Sequence, residues 1–114
     1  MPIIRIPMPP SVNAAYRNVH GHGRVKTKAY LAWQKEAVVM LRLCHPDPVL
    51  GCDVWVEFLF GPRNRRRDLD NMIKLPLDLL VSEGLISDDS RVVKISAEWC
   101  EGVKGCTIGY VGMP

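Results

Sequence analysis

Alternation of apolar and polar residues along the chain predicts four β-strands. It is clearest over residues 52–60, CDVWVEFLF, and it recurs over residues 91–99, RVVKISAEW. Shorter segments at residues 3–6 and 105–111 are also typical of strands. The residues predicted to share one face are Val54, Val56, Phe58 and Phe60 in the clearest strand, and Val93, Ile95, Ala97 and Trp99 in the second.

A first helix is predicted over residues 28–43. Thr27 is placed to cap its N-terminus, and the sequence HPDP follows its end. The buried stripe predicted for this helix consists of Ala32, Ala37, Met40, Leu41 and Cys44.

A second helix is predicted over residues 70–82, ending at Gly84. Pro76 lies inside this segment, and proline removes a backbone donor and clashes with the preceding turn. We therefore expect a kink, or a helix that begins near Lys74 or Leu75.

The order of the elements is strand, helix, strand, helix, strand, strand. This order predicts an α/β fold with a small mixed β-sheet and helices packed on it. Residues 17–26, RNVHGHGRVK, contain two glycines, two histidines and few apolar residues, so they are predicted to form a mobile basic loop. The length of 114 residues is that of one domain, which we assign to residues 1–114.

Composition is that of a folded protein, with 47% apolar and 24% charged residues, and it excludes the disordered class. The four cysteines contain no C-x-x-C pair, which argues against a zinc cage. There is no basic and apolar leader and no apolar run near 18 residues. We therefore expect no membrane partner, and a cytoplasmic location with free, mostly buried thiols.

Charge is mildly basic overall, with a formal net charge of +3, but it is strongly clustered. Residues 11–28 and 58–67 carry cations and no acid, whereas residues 68–89 carry six carboxylates and Lys74. Clustering of this kind shapes a local field that net charge conceals. The clustered cations are Arg17, Arg24, Lys26 and Lys28 in the first segment and Arg63, Arg65, Arg66 and Arg67 in the second.

The stretch RRRDLDNMIK, residues 65–74, brings both kinds of charge together. Asp68 and Asp70 are two residues apart, so their side chains can turn to the same side and share an ion. Mg²⁺ prefers oxygen ligands and keeps several waters, so two or three protein carboxylates are enough. A third candidate is Asp88 or Asp89 in SDDS, and we expect the intervening helix to bring the two motifs together.

These acids also have structural interpretations. An Asp before a helix is most often a cap, and acids in a turn most often serve the turn. A cap needs one acid, whereas D-x-D-N supplies two carboxylates whose mutual repulsion is relieved by a cation or a close base. The arginines at residues 65–67 are such bases, so ion pairing at a surface stays open as an alternative.

Lys74 has two interpretations as well. It lies four residues after Asp70 and four before Asp78, so all three share a face on a continuous helix. One interpretation is a surface charge ladder, worth roughly a few tenths of a kcal/mol per pair. The other places the ammonium beside a metal, where it stabilises charge that builds on a phosphoryl group.

Phosphodiester cleavage accounts for both kinds of charge in this stretch. Arginines bind backbone phosphates, while carboxylate-held metals lower the pKa of an attacking water and stabilise the leaving oxygen. We therefore predict that the clustered cations bind the phosphate backbone of a nucleic acid. His20 and His22 are expected to contact phosphate or solvent, and Trp33, Trp55 and Trp99 to be core or interface anchors.

Taken together, the motifs resemble those of a known family. PPSVN, RRRDLDNMIK, LDLLVSEGLISDD and VVKI occur in the order expected for the RusA family of Holliday junction resolvases, which phages and prophages often carry. The likeness covers nearly the whole chain. Its specific part is D-x-D-N-x-x-K followed by D-x-L and D-D, whereas PPSVN alone is weak.

The resemblance implies a RusA-like homodimeric endonuclease that nicks four-way DNA junctions symmetrically in recombination and repair, using Mg²⁺ or Mn²⁺. By position, Asp68, Asp70 and Asp89 match the metal-binding acids of the family, and Lys74 matches its essential lysine. A two-fold dimer suits a junction that presents two equivalent strands. The residues to which we assign supporting roles are Asn71, Asp78 and Asp88.

Two other classes of protein remain as alternatives. A nucleic-acid-binding module that does not cut would use its acids to balance its arginines. An intracellular Ca²⁺-binding structural protein is disfavoured, because DLDN lacks the glycine and the terminal glutamate of a calcium loop.

Overall fold

The computed structural model describes residues 3–114, which form a four-stranded mixed sheet, a separate two-stranded sheet and helices. Its elements are β1 (Ile3–Ile6), α1 (Val12–Ala15), β2 (Tyr16–Val19), β3 (Gly23–Lys26), α2 (Lys28–Leu43), β4 (Asp53–Gly61), α3 (Lys74–Ser82), β5 (Val92–Trp99) and β6 (Gly105–Met113), with 3-10 turns at Leu69–Met72 and Asp89–Arg91. The main sheet has the order β1-β6-β4-β5, and β4 and β5 are parallel while the other neighbours are antiparallel. The predicted α/β fold with a small mixed sheet is confirmed.

The core lies between one face of the sheet and helices α2 and α3. The four residues of β4 that were expected to share a face are all fully buried there, and each large apolar side chain contributes about 1.5–3 kcal/mol when buried. Of the three tryptophans, Trp33 is buried and donates from Nε1 to the Pro7 carbonyl over 2.9 Å, while Trp55 and Trp99 are half-buried. The residues of α3 that complete the core are Leu75, Pro76, Leu77, Leu79 and Leu80.

Helix α2 has the predicted bounds, but its buried stripe differs from the prediction. Ala37 and Leu41 are buried and Met40 is half-buried, whereas Ala32 and Cys44 are exposed. The buried residues of the helix are Tyr30, Trp33, Ala37 and Leu41. The two aromatic rings bury more apolar area than alanine and cysteine, so they determine which side of the helix faces the sheet.

Residues 17–26 form most of a β-hairpin, so the prediction of an irregular loop is wrong. Strands β2 and β3 pair antiparallel along their whole length. Gly21 and Gly23 have φ values of 79° and 70°, which glycine adopts without strain in the turn. The hairpin needs few apolar residues because backbone pairing and the packing of Arg24 on Tyr16, 3.7 Å from its ring centroid, hold the ribbon together.

Helix α3 begins at Lys74, one of the two starting points that the sequence predicts. Pro76 is the third residue of the helix, where the backbone N–H groups have no acceptor within the helix. Its missing donor therefore breaks no helical hydrogen bond. Gly84 follows the end of the helix with a φ of 73°, which confirms the predicted terminus.

All four cysteines are free thiols. The prediction that they are mostly buried is wrong, because only Cys106 is buried while Cys44 is exposed and Cys52 and Cys100 are half-buried. Cys44 lies at the exposed end of α2, whereas Cys106 faces the core from β6. Burial raises the pKa of the Cys106 thiol, which keeps it protonated and unreactive.

Across residues 3–114, the structure contains no helix with the length and apolar character needed to span a membrane.

Candidate metal and nucleic-acid site

The predicted acids lie where the loop after β4 leads into α3. Asp68 stands at the start of the 3-10 turn Leu69–Met72, and Asp70 lies in its first turn. The buried side chain of Met72 anchors this turn, which contacts α1, α3 and β5. Asp89 begins the second 3-10 turn, which also contacts α3. The fold therefore brings both acidic motifs to α3.

Asp68, Asp70 and Asp89 are exposed and have no cationic partner in the described chain. Asp68 occupies a capping position, but its side chain makes no capping hydrogen bond. No lysine or arginine within residues 3–114 forms an ion pair with any of the three carboxylates. Capping by Asp68 and neutralisation by the neighbouring arginines are therefore both absent from this part of the structure.

The arginines before Asp68 have other surroundings. Arg67 donates from Nη1 to the carbonyl oxygen of Pro9 over 2.9 Å, which ties the basic loop to the segment after β1. Arg63, Arg65 and Arg66 are exposed, and they form no ion pair with the described residues. Arg67 thus has a structural contact, whereas the other three guanidinium groups are available to an external anion.

No three carboxylate, imidazole or thiol groups among residues 3–114 lie close enough together to hold a metal ion. The expected three-carboxylate cluster is therefore not preformed there, and ligation by Asp68, Asp70 and Asp89 stays a prediction. Their chemistry still fits Mg²⁺, because this ion is usually bound by one or two carboxylates, several waters and substrate phosphates. Asp68 and Asp70, close in sequence and unpaired, meet that requirement.

Lys74 pairs with Asp78, and its Nζ lies 2.9 Å from Oδ1 of that residue. The hydrogen bond to Asp78 raises the pKa of Lys74, and the charge of Asp89 raises it further. The lysine therefore stays protonated at neutral pH, and the second acidic motif is close enough to influence it. Asp70, Lys74 and Asp78 were expected to share one face of a continuous helix. Only Lys74 and Asp78 do so, because Asp70 lies in the 3-10 turn before α3 begins.

The residues with predicted supporting roles have local structural contacts. Ser90 donates from Oγ to Asp88 over 2.6 Å, and this hydrogen bond lowers the pKa of Asp88. The backbone N–H of Asn71 donates to the carbonyl oxygen of Asp68 over 3.1 Å, which closes the 3-10 turn. Asp88 thus accepts a hydrogen bond within its own turn, while the adjacent Asp89 has no cationic partner in the described residues.

Sequence reasoning missed two tyrosines beside this site. The rings of Tyr16 and Tyr30 meet edge to face, with centroids 5.4 Å apart and an interplanar angle of 85°. Burial raises the pKa of Tyr30, and Tyr16 adds to that effect. Tyr16 also contributes to the raised pKa of Lys74, so the hairpin reaches α3. The signal that could have revealed them is their position on either side of the basic segment.

A cavity of about 210 Å³ lies between the hairpin, α2 and α3. Lys26 lies at its edge, with Nζ 4.9 Å from the Tyr30 ring centroid and 3.5 Å from Oε1 of Gln34. Arg17, Arg24 and Lys28 are exposed on the same hairpin and at the start of α2, as are His20 and His22 in the turn. The first basic segment therefore forms a hairpin that lies beside α3, the helix that begins at Lys74. The cavity is lined by Tyr16, Lys26, Tyr30, Trp33, Gln34, Leu75, Asp78, Leu79 and Ser82.

Comparison with known proteins finds one family and several curated relatives. Residues 7–108 match the family described as "Endodeoxyribonuclease RusA". The chain is 33% identical over 91 residues to "Crossover junction endodeoxyribonuclease RusA" of Escherichia coli (strain K12), which covers 79% of this chain and 75% of that protein. It is 32% identical, over the same shares of each chain, to the proteins of that name from Shigella sonnei (strain Ss046) and Enterobacteria phage 82.

Proposed function

This chain belongs to the RusA family of endodeoxyribonucleases, and on that basis we propose that it resolves four-way DNA junctions by paired symmetric nicks. We assign it to DNA recombination and repair, as a metal-dependent and structure-selective nuclease. The observation that carries the metal-dependent chemistry is that Asp68 and Asp70 remain without a cationic partner although three arginines precede them.

The same observation argues against a binding module that does not cut. In such a module the acids would neutralise the neighbouring arginines, and ion pairs between them would be expected. Exposed carboxylates without a cation repel a phosphate backbone and so weaken binding. They become useful at a DNA surface when a metal ion joins them to the phosphate.

We propose that Asp68, Asp70 and Asp89 hold Mg²⁺, with Mn²⁺ as the alternative ion. When bound, such an ion lowers the pKa of an attacking water and stabilises the leaving oxygen. Lys74 remains protonated because its hydrogen bond to Asp78 raises its pKa, so it can stabilise negative charge that develops on the phosphoryl oxygens.

Two basic regions are proposed to bind the junction arms. Arg63, Arg65 and Arg66 lie in the loop that leads to Asp68, where their charge-assisted hydrogen bonds can hold the strand to be cut. The hairpin formed by β2 and β3 supplies the second region beside α3. Arg67 adds positive charge while its guanidinium group fixes the basic loop on Pro9.

We further propose that the protein acts as a homodimer in the cytoplasm. A four-way junction presents two equivalent strands, and a two-fold dimer presents two equivalent sites to them. The relatives that match come from bacteria and a phage, whose DNA lies in the bacterial cytoplasm.

Asp70→Asn tests the proposed chemistry on a labelled synthetic four-way junction. The wild type should produce paired nicks that require Mg²⁺ and disappear with EDTA. We expect the variant to cut at least about a hundredfold more slowly, because a metal ligand contributes several kcal/mol to the transition state. Junction binding should persist in the variant, as measured by gel mobility shift.

The matched control is Glu101→Gln, which removes an exposed carboxylate from the turn between β5 and β6. It should cut at the wild-type rate. Binding without product under any divalent metal would instead support the non-cutting module. Cleavage by Asp70→Asn at the wild-type rate would remove Asp70 from the site.

A further inference from the structure

Strand β5 is an edge strand, with no second strand paired to its outer side within the described part of the chain. Among residues 3–114 its one paired strand is β4, and it stands at the end of the sheet order. Val93 and Ile95 are 56% and 44% exposed, although both are large and apolar. An edge of this kind presents unpaired backbone groups to which another strand can add.

The two faces of β5 differ in character. Its register with β4 places Ile95, Ala97 and Trp99 beside three core residues of that strand, so they share the apolar face. The intervening residues face the opposite side of the sheet, where Lys94 lies with Nζ 4.3 Å from the Trp55 ring centroid. The residues on this polar face are Lys94, Ser96 and Glu98.

The sequence of β5 is complementary to itself about Ser96. When the strand pairs antiparallel with a second copy on a two-fold axis at Ser96, Lys94 lies directly opposite Glu98 of that copy. Symmetry repeats this pair, so two ion pairs form on the polar face. On the apolar face Ile95 lies opposite Ala97 of the second copy. Neither Lys94 nor Glu98 forms an ion pair within residues 3–114.

We propose that β5 is the surface through which two copies of this chain associate, by antiparallel pairing of β5 with β5 centred on Ser96. The two four-stranded sheets then form one continuous sheet across the dimer axis. The inference rests on the homodimer of the proposed function and names its surface, while the chemistry of the acids and Lys74 does not depend on it.

A lysine on an edge strand can also serve to prevent association. Lys94 alone would fit that role, because it repels a strand that offers no acid opposite it. Glu98 occupies the position that the two-fold axis places opposite Lys94. It therefore favours association of two copies, because each lysine meets a glutamate when the strand pairs with its own copy in this register. A shift of one residue would bring the charged residues to the apolar face, so the register is specific.

Charge reversal tests the surface, with the dimer Kd measured by sedimentation equilibrium at low salt. Lys94→Glu places two acids opposite each other on both sides of the axis, and Glu98→Lys does the same with lysines. We expect each variant to raise the dimer Kd roughly tenfold or more, because attraction becomes repulsion at two pairs. The double variant Lys94→Glu/Glu98→Lys restores both pairs and should dimerise like the wild type.

A mixture of the two single variants gives a sharper result. In a heterodimer of Lys94→Glu with Glu98→Lys, both cross-strand pairs are again complementary, so the mixture should dimerise more tightly than either component alone. The matched controls are Lys104→Glu and Glu101→Lys, which make the same charge changes at exposed positions outside β5. They should leave the dimer Kd unchanged.

Ser96→Cys reports the register directly. Two cysteines that face each other across the axis should form an intermolecular disulfide under mild oxidation, detected on a non-reducing gel. Ser90→Cys, an exposed serine in the second 3-10 turn, and the wild type with its four thiols should give no such product.

Monomeric wild type, or a dimer Kd that no charge variant changes, would overturn the inference. Junction cleavage in the same preparations separates this outcome from failure of the proposed function. Cleavage by a dimer that is insensitive to the β5 variants contradicts the surface alone. A β5-linked dimer that binds junctions and never cuts them contradicts the nuclease alone.

Discussion

At the candidate site, some acidic side chains form an ion pair or a hydrogen bond within the protein, and others have no cationic partner among the described residues. Asp78 pairs with Lys74, and Asp88 accepts a hydrogen bond from Ser90. In the sequence these acids cannot be told apart from the other carboxylates of the acidic segment, because pairing depends on where each side chain lies. The acids that the described structure leaves without a cationic partner are Asp68, Asp70 and Asp89.

Asp78→Asn should have a small effect on stability that depends on pH. The pair is half-exposed, at 51% for the Lys74 side chain and 33% for that of Asp78, so the variant should lose only about 0.3–0.5 kcal/mol of unfolding free energy at neutral pH. The folded-state pKa of Lys74 is raised above the ordinary 10.5. The contribution is therefore complete below that value and disappears as pH rises through the folded-state pKa.

Urea unfolding at neutral pH and above the folded-state pKa of Lys74 measures this difference. Glu36→Gln on the exposed side of α2 is the control, and its difference from the wild type should not change with pH. A difference for Asp78→Asn that stays constant or grows at high pH would show that the ion pair is not its source.

At the scale of elements, β4 ends at Gly61 against the turn that follows β5. A Cβ atom there would overlap the backbone carbonyl groups of Cys100 and Val103, which cannot turn aside as a flexible side chain can. We predict that Gly61→Ala lowers the free energy of unfolding by about 1–3 kcal/mol, measured by chemical denaturation. Gly102→Ala in the same turn is the matched control, because a Cβ there meets nothing within 4 Å. Equal stability of the two variants would contradict the prediction.

The hairpin of β2 and β3 and the short helix α1 are elements that the sequence pattern failed to predict. The pairing of β2 with β3 orders the first basic segment, and Arg24 is held over the ring of Tyr16. A positioned guanidinium loses less conformational entropy when it binds phosphate than one on a mobile loop would lose. The hairpin is therefore better suited to hold a junction arm than the predicted loop.

Arg24→Ala should weaken junction binding and reduce the slope of log K against log salt by about one, because one phosphate contact is lost. Fluorescence anisotropy over a salt series measures both quantities. Arg5→Ala is the control, since Arg5 is exposed on β1, on the opposite side of that strand from buried Ile4 and Ile6. An unchanged slope for Arg24→Ala would place the hairpin outside the DNA interface.

At the scale of the whole molecule, a modest net charge conceals two basic segments and one acidic segment. If about six of the predicted cations contact phosphates, affinity for a junction should fall roughly a thousandfold between about 50 and 200 mM salt. A filter-binding or anisotropy series on the wild type checks this. A fall of less than roughly tenfold would mean that most of these cations do not contact DNA.

Local properties of the sequence determined the elements of the main sheet and both long helices. The alternation of β4, the cap at Thr27 and the place of Pro76 near the start of α3 act over a few residues, so they can be inferred without a structure. Only the tertiary structure decided which side of α2 is buried, which acids are paired, and that β5 lies at an edge. Those properties depend on residues far apart in sequence that meet only in the folded chain.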